Sequence, residues 1–66
     1  MRFLLNGEQV ERTDAATIAE LIARLELAPE TTLVERNRVA LRRRDWPNEQ
    51  LRDGDRIEIL RVAAGG

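Results

Sequence analysis

Apolar positions near the start of the chain alternate. Phe3, Leu5 and Val10 fall on one side of an extended backbone, and Leu4 falls on the other with the charged neighbourhood of Glu11. Between them Asn6-Gly7 supplies two residues that tolerate φ > 0, as a type I′ turn requires, so residues 2–5 and 8–12 are predicted to pair as an antiparallel hairpin. The period then changes. Thr17 and Glu20 have capping-box spacing, and Ile18, Leu21, Ile22 and Leu25 recur at i, i+3, i+4 and i+7. That stripe predicts a helix lying on a sheet, with Glu20, Arg24 and Glu26 facing away. Leu27-Ala28-Pro29 is expected to end it, because Pro29 has no N–H and biases Ala28 out of the α region.

Period two returns at Leu33-Val34-Glu35-Arg36 and Val39-Ala40-Leu41, around a tight turn at Asn37-Arg38. Leu33 and Val34 are adjacent, so one of them faces a neighbour or solvent. The proline-broken stretch 45–51 predicts a turn, or one helical turn, that plugs Trp46 and Leu51 against the core edge; the alternative is that Trp46 is a binding hot spot. Asp53-Gly54-Asp55 reads as a turn launching a last strand from Arg56 to Val62, with Ile57 and Ile59 inward. On its other face that strand passes from Glu58 to Leu60 and Val62. Either those two cover the rim of the sheet or they are prepared for contact. The order β-β-α-β-β-(turn)-β predicts an α+β layer of sheet on helix, with the final strand placed centrally, between the hairpins and beside the first strand.

With 66 residues the chain holds one small domain, expected over 1–66 with an extended tail at 62–66. Such a domain buries only about 60% of its unfolded surface. Cysteine and histidine are both absent, which removes disulfides, the usual zinc sites, Cys nucleophiles and Ser-His-Asp triads. A self-sufficient enzyme is not expected, nor a bound metal. Net charge is −1, so no large field holds nucleic acid or an anionic membrane, and one Phe with one Trp makes no base-stacking platform. There is no apolar run near 18 residues and no signal-peptide pattern, so cytoplasmic residence is the expectation. All 11 basic residues are arginine. This fits a codon bias, or a chain that keeps amines away from an activated carboxyl group.

The closing residues Ala63-Ala64-Gly65-Gly66 differ in character from the body. Glycine has no Cβ, so Gly65-Gly66 threads an extended backbone through a passage where a larger residue jams, and Ala63 and Ala64 keep the approach slim. Four extended residues reach roughly 13 Å. Set against this, small residues also accumulate at chain ends without function.

Asn6-Gly7, Thr17-Ile18-Ala19-Glu20-Leu21-Ile22, Val34-Glu35-Arg36-Asn37, Arg43-Arg44-Asp45-Trp46, residues 51–59 and Gly65-Gly66 together resemble the ubiquitin-like sulfur carriers, most closely the ThiS family of thiamine (thiazole) biosynthesis. The resemblance covers essentially the whole chain. It implies a β-grasp fold, a mixed sheet of about five strands packed on one helix, in which Gly66 is the working residue and the body a handle. It also implies an E1-like adenylyltransferase (ThiF-type) that uses ATP to make an acyl-adenylate at Gly66, and a cysteine desulfurase relay that converts this to a thiocarboxylate. A thiazole synthase (ThiG-type) is the implied sulfur acceptor, and no cofactor is bound by the carrier itself. Two positions depart from the pattern: Ala64 precedes the glycines where relatives often have a third glycine, and Arg42 stands where many have proline.

On this view Leu60, Val62 and Leu4 form an apolar dock, Arg61 orients the partner, Ala63, Ala64 and Gly65 form the tail entry, and Gly66 reacts. Rival readings are a carrier of another pathway (the small subunit of molybdopterin synthase, or carriers for amino-acid biosynthesis or tRNA thiolation) and a non-covalent β-grasp interaction module. An enzyme fails for lack of a convergent acid, base or nucleophile set.

Overall fold

The computed structural model describes residues 1–63. Asn6 and Gly7 take φ of 51° and 84°, the left-handed pair that the turn requires, and they join β1 (Arg2–Leu5) to β2 (Glu8–Glu11). Phe3 pairs directly with Val10 in this antiparallel hairpin. A second hairpin joins β3 (Thr32–Arg36) to β4 (Val39–Leu41) through Asn37 and Arg38, with φ of 52° and 70°. The last strand, β5 (Arg56–Arg61), runs parallel to β1 and antiparallel to β3, giving the sheet order β2-β1-β5-β3-β4. The final strand is therefore central, and one helix covers the sheet, which is the β-grasp arrangement.

The helix α1 (Ile18–Arg24) opens on a complete capping box. The Thr17 hydroxyl accepts from the Glu20 N–H at 3.1 Å, and the Glu20 carboxylate accepts from the Thr17 N–H at 3.2 Å. Ile18, Leu21 and Ile22 lie fully buried against Phe3 and Ile57, and Val34 and Ile59 complete the sheet's contribution to the core. Burying each of the largest of these side chains contributes about 1.5–3 kcal/mol. Trp46 sits within a 3₁₀ segment, Arg43–Asn48, and is 3% exposed, so it is a core plug rather than a surface hot spot. Two backbone bonds fasten that segment's end to the helix start: Ile18 N–H to Glu49 C=O and Leu51 N–H to Ala16 C=O, both 2.9 Å.

The helix ends earlier, and by a different device, than the sequence predicts. Leu25 is the C-cap, and Glu26 takes φ 58°, three residues before Pro29. The Glu26 N–H donates to Ala23 C=O and the Leu27 N–H to Ile22 C=O, the two bonds of a Schellman motif, while Leu27 folds back onto the core. Glycine normally holds this position, so a glutamate there gives no sequence signal. Pro29 instead opens a separate 3₁₀ turn, Pro29–Thr31.

The two hairpin asparagines do more than turn the chain. The Asn6 side-chain oxygen accepts from the Ile59 N–H at 2.7 Å, beyond the point where β1 stops pairing with β5. The Asn37 side-chain oxygen accepts from the Arg56 N–H at 2.9 Å, and the Asn37 N–H donates to Arg56 C=O at 2.8 Å. Buried Asp55 accepts from the Arg52 N–H at 2.9 Å and from the Asn37 amide at 3.3 Å, which secures the turn that launches β5.

The helix stop and the asparagine clamp can each be tested by substitution. Glu26→Gly relieves a left-handed cost of about 1–2 kcal/mol, partly offset by the roughly 0.5–1 kcal/mol of extra unfolded-state freedom of glycine, so urea denaturation should show a gain of about 0.5–1 kcal/mol. Asn6→Gly keeps the turn but removes the acceptor for Ile59, and should cost about 1 kcal/mol. Asn6→Asp keeps that acceptor and should lose less; equal losses in the two variants would dismiss the clamp.

Candidate functional site

The central position of β5 determines where the closing segment leaves the body. The Leu60 side chain lies on the outer face of the sheet, opposite inward Ile59, and is 60% exposed. In the antiparallel register Leu60 pairs directly with Leu33 on β3, itself 55% exposed, whereas Val34 beside it is buried. Direct cross-strand partners have Cβ atoms about 4.5–5.5 Å apart, so the two leucines form one apolar patch. One residue beyond β5, Val62 is 45% exposed, and its N–H donates to Thr31 C=O at 2.8 Å, carrying the pairing past the strand's end. Arg61 pairs with Thr32 and is exposed, and Ala63, the last described residue, is also exposed.

The structure thus brings Leu60, Arg61, Val62 and Ala63 together at one end of the sheet but does not bring Leu4 there. Leu4 is half-buried and lies beside Arg56 in the parallel register, four residues upstream of Leu60 and so roughly 13 Å away along the strand. The residue that completes the patch is Leu33. The Leu33-Val34 doublet signals that one of the two points outward, but only pairing with β5 decides which. The tail-entry residues Ala64 and Gly65, and the reactive position Gly66, lie outside the described residues.

Below the leucine pair a groove of about 220 Å³ opens on the same face, lined by Leu33, Leu60, Ala40, Leu41, Glu35 and Glu58. The basic run Arg42-Arg43-Arg44 is exposed, while Arg36 turns to Glu49 and donates to Gln50 C=O at 2.7 Å. The hydrogen bond from Arg12 holds the Asp14 carboxyl down at about 2, well below the usual carboxylate value. That pair lies on the connection between β2 and α1, not on β5. Among the described residues no group of three or more His, Cys, Asp or Glu side chains could hold a metal ion, and no helix is long and apolar enough to cross a membrane. The arrangement is an apolar and charged surface at the end of β5, where the described residues stop at Ala63.

Comparison with known proteins agrees with this architecture. The ThiS family matches residues 3–66. The sulfur carrier protein ThiS of Bacillus subtilis is 35% identical over 63 residues, covering 94% of this chain and 96% of that protein. The crystal structure of the thiamine biosynthesis protein ThiS from Geobacter metallireducens superposes with a TM-score of 0.82 at 30% identity, covering 100% of both chains. A solution structure of a thiamine biosynthesis protein from the same organism gives 0.79 at 30% identity, covering 100% of this chain and 88% of the other. With its central last strand, its β-grasp sheet and this match over nearly its whole length, the chain belongs to the ThiS family.

Proposed function

We propose that this protein is a cytoplasmic sulfur carrier for thiamine biosynthesis, with Gly66 as the sulfur-bearing residue and no catalytic role of its own. The observation that carries the reading is the course of β5. The central strand of the sheet, paired on both sides, leads directly past an exposed apolar pair into the segment closed in sequence by Gly65-Gly66. Membership of the ThiS family supports the same reading.

A free carboxylate is a poor electrophile. On this reading a ThiF-type adenylyltransferase joins the Gly66 carboxylate to the AMP moiety of ATP, with pyrophosphate leaving. The persulfide sulfur of a cysteine desulfurase relay then displaces AMP to give an acyl disulfide. A second thiol of the partner proteins attacks the relay sulfur and releases the thiocarboxylate while forming a disulfide, and the thiocarboxylate donates sulfur to a ThiG-type thiazole synthase. ATP is the partner's substrate, so the carrier itself binds no cofactor. Its own residues supply docking and access: Leu60, Leu33 and Val62 contribute apolar area, Arg61 orients the partner, and Gly65 passes the constriction that leads to the ATP site.

The test separates docking from entry. Leu60→Glu places a charge on an exposed site, so the fold should persist while adenylation, followed by pyrophosphate release, falls by about tenfold or more at limiting carrier concentration. Gly65→Val should bind the adenylyltransferase normally yet form adenylate roughly 100-fold more slowly, because small misplacements of a reacting group cost rates on that order. Wild-type kinetics in either folded variant contradict the corresponding role.

A further inference from the structure

A like-charge pair sits on the outer face, where the fold itself has no use for it. Glu35 on β3 and Glu58 on β5 are direct partners in the antiparallel register, immediately beside the Leu33–Leu60 pair, and Ala40 faces Glu35 from β4. Like charges directly opposite one another destabilise a strand pair. Glu58 is offset by Arg56, whose Nε lies 3.2 Å from its carboxylate. Exposed Glu35 has no ion-pair partner among the described residues. Both carboxylates and the leucine pair line the same groove of about 220 Å³. The net charge of −1 provides no general attraction for a basic partner, so any such recognition is local to this groove.

We propose that the groove receives an arginine side chain from the partner protein, its guanidinium between Glu35 and Glu58 and its methylene stem across Leu33, Ala40 and Leu60. A guanidinium presents five donors in a planar fork and serves two carboxylates at once, whereas an ammonium is a compact point charge. The apolar stem matches the leucine floor, and the incoming charge relieves the repulsion that the fold tolerates. The partner's identity rests on the sulfur-carrier reading, in which the ThiF-type adenylyltransferase is the first protein to engage this face.

The test uses the full chain and a ThiF-type adenylyltransferase, with affinity measured by titration calorimetry and association rates by stopped flow at low and high salt. Glu35→Gln and Glu58→Gln keep side-chain shape and remove charge, so both should melt no lower than the wild type. The double variant should bind about tenfold more weakly, mainly through a slower association rate, and should lose most of the wild type's salt dependence. Unchanged affinity and salt dependence in the double variant, with the wild type bound and adenylated, overturns the arginine site and leaves the carrier reading standing. A wild type that is neither bound nor adenylated removes both. A self-associated free chain in sedimentation equilibrium, dissociated by the same substitutions, assigns the groove to a second copy and likewise overturns the proposal.

Discussion

The backbone pairing of the central strand is the constraint on which the rest of this small domain depends. β5 is hydrogen-bonded on both sides, to β1 and to β3, and its inward residues Ile57 and Ile59 meet the helix through the core. Its pairing with β1 is short, and the side chains of Asn6 and Asn37 accept the Ile59 and Arg56 N–H groups. The residues that turn each hairpin therefore also tie that hairpin to the strand between them. With no cysteine for a disulfide and, among the described residues, no cluster that could hold a metal ion to staple 66 residues, this economy matters, because chains of this size rarely gain more than a few kcal/mol from one core.

A strand held in this way fixes where Leu60, Arg61 and Val62 lie at the end of the sheet. The core ends at Ile59, and the next outward residue, Leu60, is paired with Leu33 in the open. The same few residues thus mark the end of the packed interior and the start of an exposed apolar surface. Carboxylates of β3 and β5 border that surface, so apolar area and charge lie within one groove instead of on separate faces.

The features legible in the sequence are mostly short-range. Asn6-Gly7, the Thr17–Glu20 box and the Ile57/Ile59 alternation each specify local geometry within a few residues, and the structure has all three. The central placement of the last strand is also legible, because its apolar alternation is the strongest after Phe3. The true helix stop is hidden, because a glutamate in a left-handed C-terminal position carries no signal against the strong signal of nearby Pro29. Leu33 and Leu4 are beyond local reasoning. Which member of the Leu33-Val34 doublet points outward, and how far Leu4 lies from Leu60, are both set by register with a strand more than 20 residues away in the chain. The asparagine clamps are invisible for the same reason.

The central claim is that the body exists to present Gly66 for sulfur loading, and the intact mass of the chain tests it most directly. The protein is incubated with ATP, a ThiF-type adenylyltransferase and a cysteine desulfurase sulfur source, and its mass is read without reduction or hydrolysis. The expected result is a gain of about 16 Da, the exchange of a carboxylate oxygen for sulfur, localised to Gly66 by fragmentation and lost on hydrolysis. An unchanged mass under conditions that load a known ThiS protein, or a gain localised anywhere else, would contradict the claim.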